Sequence, residues 1–162
     1  MKFASLADIK KELQLLPPKR LQELALRLAK HKKENKELLA FLLFEDDNKQ
    51  VFIGELKTEL DEEFRQMRQQ NNLYYLKKNL RRVLRLLNRY IKYIDDKAVA
   101  AELLIWFCNS VVAHGLPLKG SAQLRNLYDQ QIRKAENLIG SLHEDLRQDY
   151  LRELDPLRAA TY

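Results

Sequence analysis

Residues 73–94 read LYYLKKNLRRVLRLLNRYIKYI, and this stretch decides the fold class. At 100° per residue, Leu73, Leu76, Leu80, Val83, Leu84, Leu87, Ile91 and Ile94 gather on one side of a helix. Lys77, Lys78, Arg81, Arg82, Arg85, Arg89 and Lys92 share the opposite arc. Tyr74 lies among them, with Tyr75 and Tyr93 at the edge. An apolar stripe of this period, unbroken by glycine or proline, is an amphipathic helix that other helices must cover.

The same period recurs along the chain. Ser5 with Asp8 three residues later forms a capping signal for a first helix carrying Leu6, Ile9, Leu13 and Leu16, which ends at Pro17-Pro18. Proline disfavours helix before it and suits the first turn of the next, so a second helix is predicted from Pro18 to about Lys32. The third, about Asn35 to Glu45, is apolar almost all round and is expected to be buried on several sides. After the turn cluster Asp46-Asp47-Asn48, a fourth runs to about Gln70 with core positions Phe52, Leu56, Leu60, Phe64 and Met67.

Beyond the fifth helix, Asp95-Asp96 caps a sixth, Lys97 to His114, and Gly115 ends it as a C-terminal glycine. A seventh runs from Ser121 to about Ile139, and a last one from Ser141 stops before Asp155-Pro156. The chain has four glycines and four prolines and is dominated by good helix formers. The expectation is an all-α fold of about eight helices in antiparallel hairpins, either an irregular bundle or a short α-solenoid-like array. The hairpins hold no fixed period, which argues against a true repeat family. At 162 residues, one helical domain over 1–162 is expected.

Charge supplies the strongest functional signal. Between Phe64 and Ile94 there are nine Lys or Arg and no Asp or Glu, although the whole chain is only +6. Seven of the nine form the ridge of the fifth helix. Like charges at i, i+3 and i+4 repel by a few tenths of a kcal/mol per pair, so something is expected to compensate them. One candidate is an anionic partner, with arginines on phosphates and tyrosines on bases. The other is internal. If the fourth and fifth helices pack antiparallel about Asn71-Asn72, Glu59 lies level with Arg85, Glu62 with Arg81 and Glu55 with Arg89. A second basic cluster, Lys30, Lys32, Lys33 and Lys36, suits the C-terminal end of a helix dipole.

Catalytic and metal chemistry find little purchase. The isolated glycines form no phosphate loop, and His31, His114 and His143 lie on separate elements without a zinc or di-iron spacing. Cys108, the only cysteine, lies in the most apolar helix and reads as packing; it also excludes an internal disulfide. Glu102 on that helix is expected to be partly buried, paired with an arginine of the fifth helix or a tyrosine hydroxyl. No catalytic residue, metal or cofactor is expected. No signal peptide or membrane span is read, which predicts a cytoplasmic protein.

The run from Ala7 to Phe44, with Asp8-Ile-Lys-Lys-Glu-Leu13, Leu16-Pro-Pro18 and Glu37-Leu-Leu-Ala-Phe-Leu-Leu-Phe44, resembles small all-helical bacterial proteins that carry a domain-of-unknown-function label. The helix from Tyr75-Leu-Lys-Lys-Asn-Leu80 to Tyr93 fits their pattern too. The resemblance implies a helical, intracellular, non-enzymatic protein and carries over no functional residue. Stacked-hairpin folds of the alkylation-repair type hold DNA on a basic helical surface, an analogy at the level of fold.

The leading expectation is a non-catalytic binding module that meets an acidic protein surface or a nucleic acid through residues 73–94. Its site residues would be Lys77, Lys78, Arg81, Arg82, Arg85, Arg89, Lys92, Tyr74 and Tyr75. The rival is a self-associating scaffold with a solvated basic face, dimerising through Tyr75, Leu86, Tyr90 and Tyr93.

Overall fold

The computed structural model describes residues 3–161. Its α-helices are α1 (Leu6–Gln14), α2 (Pro18–His31), α3 (Lys33–Phe44), α4 (Lys49–Arg68), α5 (Leu73–Ile94), α6 (Lys97–Ala113), α7 (Ala122–Gly140) and α8 (Glu144–Arg158). Short 3-10 turns occupy Asp46–Asn48 and Ala159–Thr161, and there is no strand among the described residues. The all-α expectation holds. The chain divides into two compact units, Met1–Asp47 and Asn48–Tyr162.

In the first unit, the Ser5 hydroxyl accepts the Asp8 N–H at 3.2 Å and the Asp8 carboxylate accepts the Ser5 N–H at 3.2 Å, a capping box that starts α1. The hydrogen bonds from Ser5 hold the Asp8 carboxyl below its ordinary range. Pro18 opens α2 at its first helical position. The Asn35 amide donates to the Leu28 carbonyl at 2.9 Å and ties α3 back to α2 across their tight connection. The expectation for α3 needs correction: Phe41 is buried, whereas Leu42, Leu43 and Phe44 are exposed.

The second unit is organised by α6, which packs against α4, α5, α7 and α8. It is the most apolar helix and buries ten residues, including Leu103, Leu104, Phe107, Cys108 and Val111. A helix in contact with four others makes this unit a bundle, since a solenoid repeat touches only its neighbours. The ends of α6 follow from the sequence. Asp96 accepts the N–H groups of Ala98 at 2.8 Å and Val99 at 3.1 Å. At the other end Gly115 takes φ +66°, and Leu116 N–H reaches the Val111 carbonyl at 3.1 Å. Leu116 and Val111 are both buried, completing a Schellman end with its apolar clasp.

Helix α8 starts at Glu144 rather than Ser141 and runs through Pro156 to Arg158. Pro156 lies in the last turn and has no N–H to give the Arg152 carbonyl, so the helix runs past it without that bond. The Tyr128 hydroxyl donates to the Leu157 carbonyl at 2.8 Å, holding this last turn against α7. Buried Leu154 and Leu157 anchor it further.

Candidate anion-binding groove

Asn72 sets the start of α5, its side-chain oxygen accepting the Tyr74 N–H at 2.9 Å. Leu76, Leu80, Val83, Leu87 and Ile94 then turn inward and are buried, which points the basic arc away from the core. Leu73, Leu84 and Ile91, expected in the same stripe, stay partly exposed.

The structure divides the ridge into two flanks. On the side toward α4, Arg82 is ion-paired with Glu63. On the other side, Lys77 Nζ donates to Gln123 Oε1 at 2.9 Å, in the first turn of α7. Between α5 and that turn lies an open groove of about 570 Å³, lined by Tyr74, Lys77, Lys78, Arg81, Arg85 and Gln123. Five of the nine candidate site residues thus meet in one groove. Tyr75, Arg82, Arg89 and Lys92 are not among its walls. Tyr74 and Tyr75 stand edge to face, ring centroids 5.4 Å apart, and both are exposed.

The acids of α4 do not neutralise this groove. Glu62 pairs with Arg65 on its own helix, and Asp61 holds Arg65 at 2.8 Å and His114 at 3.0 Å. Of the α4 acids, among the described residues, Glu63 alone reaches the ridge, and it takes Arg82 rather than a groove residue. The predicted pairs Glu62–Arg81 and Glu59–Arg85 do not form. Glu55 and Glu59 make no ion pair among the described residues, and neither do Lys78, Arg81, Arg85 or Lys92. The connection between α4 and α5 runs from Gln69 to Asn72, longer than a two-residue turn, and shifts the facing register accordingly.

Gln123 had no signal in the sequence. Its role depends on which helix happens to pack beside α5, a contact between residues 46 apart. Ser121 places it, the hydroxyl accepting the Leu124 N–H at 3.4 Å to start α7.

Other polar clusters are occupied by each other. Glu102 is partly buried as expected, but its partner is Lys57 of α4, not an arginine of α5 or a tyrosine hydroxyl. The two border a groove of about 660 Å³ with Trp106, Tyr150 and Glu153. Burial, then the charges of Glu102, Glu153 and Asp96, push the Tyr150 phenol up. His114 caps α6, donates from Nε2 to the Asp61 carboxylate at 3.0 Å, and stacks on Phe64 with centroids 5.6 Å apart. No group of three or more His, Cys, Asp or Glu among the described residues is arranged to hold a metal ion. No helix among them is long and apolar enough to cross a membrane.

Cys108 is fully buried, and burial together with Asp129 pushes its thiol far above the ordinary range. An aromatic disulfide reagent is expected to leave it unmodified in the native protein and to label it fully once urea unfolds the chain. Native labelling within minutes would show a reachable thiol.

The self-association edge drawn from the sequence is partly consumed by the core. Tyr93 is buried, and Tyr90 packs edge to face on Phe52 with centroids 5.2 Å apart. Comparison with protein-family models, curated proteins and solved structures finds no match to this chain, so the chemistry of the groove carries the functional reading.

Proposed function

We propose that this chain is a non-catalytic, cytoplasmic binding module that holds the phosphate backbone of a nucleic acid along α5. One observation carries the reading: Lys77, Lys78, Arg81 and Arg85 line a single open groove, and no carboxylate of α4 reaches them. Uncompensated like charge on one helix destabilises the free protein, and an anionic partner relieves it. Exposed Tyr74 in the same wall favours nucleic acid over an acidic protein, because a base offers a face to stack on. Single strands fit best, since stacking needs unpaired bases.

Four phosphate contacts to a single strand give a salt slope of about −3, or a ~50-fold loss of affinity between roughly 50 and 200 mM salt. The test is a titration of fluorescently labelled single-stranded RNA and DNA at those two concentrations. Little preference among sequences is expected, since nothing in the groove is fixed to read base edges. Absence of binding at the lower salt would end the nucleic-acid reading. Salt-steep binding of a polyglutamate peptide in its place would move the partner to an acidic protein.

A further inference from the structure

The first unit leaves an apolar groove and an apolar helix face both uncovered. Ala25, Leu28 and Ala29 of α2 and Asn35, Leu38, Leu39 and Leu42 of α3 line a groove of about 360 Å³. Each helix contributes an i, i+3, i+4 stripe, so the hairpin presents two walls of a three-helix bundle. Ala25 and Ala29, one turn apart, leave room for a third helix to approach closely. Asn35, the one polar residue in the lining, is committed to the Leu28 carbonyl.

Helix α1 has the matching surface and leaves it uncovered within the first unit. Leu6, Ile9 and Leu13 share one face, with Phe3 beyond its start, and α1 buries none of its residues. Between Gln14 and Pro18 lie only Leu15, Leu16 and Pro17, and Pro17 is held extended at φ −69° and ψ 153°. A short proline-stiffened hinge between a helix and the hairpin it fits is the arrangement that favours exchange between copies.

We infer that two copies of this chain associate by exchanging α1, each seating Leu6, Ile9 and Leu13 in the α2–α3 groove of the other. The area agrees with that stoichiometry. Phe3, Leu6, Ile9, Leu13, Leu28 and Leu42 are between 40% and 87% exposed. Together they amount to nearly four whole apolar side chains, ~400 Å² at ~100 Å² each. A two-fold exchange uses both surfaces in both copies and so covers ~800 Å² from these residues alone. The half-buried Ala25, Ala29, Leu38 and Leu39 of the groove add to this, toward the ~1,000 Å² that a stable interface buries. A helix seated within its own chain would cover the same ~400 Å² per copy, so the three-residue, proline-stiffened connection is what favours exchange.

The exchange goes beyond the nucleic-acid reading and does not rest on it: charge reversal in the α5 groove should leave it intact. The decisive experiment places Ile9→Cys and Leu28→Cys in one full-length chain carrying Cys108→Ser, followed by mild oxidation and non-reducing electrophoresis. A covalent dimer is expected, with sedimentation of the unmodified protein giving a dimer at micromolar concentration. A cross-link confined to single chains would show α1 closing on its own hairpin, and a monomer at every concentration would exclude the second copy; either result overturns the inference. Ile9→Glu should dissociate the dimer with helicity retained by circular dichroism. A dimer that survives Ile9→Glu would place the interface elsewhere and overturn it too.

Discussion

Phe64→Ala is expected to destabilise the second unit by about 3–5 kcal/mol. Phe64 is fully buried. Its ring meets Trp106 edge to face at 5.9 Å and Phe107 at 5.8 Å, and it stacks on His114 at 5.6 Å. One side chain of α4 thus touches three rings of α6 and its cap, at the helix around which the unit is built. Truncation removes the aromatic contacts, each worth ~0.5–1.5 kcal/mol beyond area, and opens a cavity that three rigid rings cannot close. It also takes away the surface on which His114 rests while its Nε2 meets Asp61 at 3.0 Å. For a chain of this size, such a loss corresponds to a fall of roughly 10–15 °C in the unfolding midpoint. Trp106 is the only tryptophan, so its fluorescence reports the same site that the mutation alters. Urea unfolding followed by that fluorescence and by circular dichroism supplies the check. A loss below about 1 kcal/mol would mean that α4 and α6 are not packed through this ring.

The fold was legible because helix ends and helix faces are local properties. Ser5, Pro18, Asp96, Gly115 and Ser121 each act on backbone groups within a few residues, and each marks the end it was read to mark. What periodicity cannot supply is the identity of the covering element. The run from Leu38 to Phe44 is apolar on nearly every side, yet Leu42, Leu43 and Phe44 remain exposed, because apolarity gives a capacity for burial and not a neighbour. The same limit applied to the site. The basic ridge could be placed on one arc from residue spacing alone. Its division into an Arg82 flank and a groove required knowing that Glu63, not Glu62, faces α5 and that α7 begins beside Lys77. Glu102 shows the distinction again: its need for a partner was readable from its place in an apolar helix, but Lys57, 45 residues away, was not.

That division makes the choice of residues decisive for the binding test. Arg81→Glu together with Arg85→Glu is expected to weaken nucleic-acid binding by about two orders of magnitude at low salt. It should also flatten the salt slope by about 1.4, since each of the two phosphate contacts to a single strand contributes ~0.7. Stability should hardly change. Both side chains are exposed and without an ion pair among the described residues, so reversal breaks no partner and relieves repulsion with Lys77 and Lys78. Arg82→Glu is the informative contrast. Arg82 already pairs with Glu63, so reversal sets two carboxylates against each other and is expected to lower stability by up to ~1 kcal/mol, since the pair is largely solvated. Its effect on binding should be the smaller one, because Arg82 is not a wall of the groove. Fluorescence anisotropy for binding and thermal melts for stability separate the two effects. If the Arg81 and Arg85 reversals bind as wild type, the groove is not the interface. If they unfold the chain, those arginines serve the fold, and the charge on α5 is compensated from within after all.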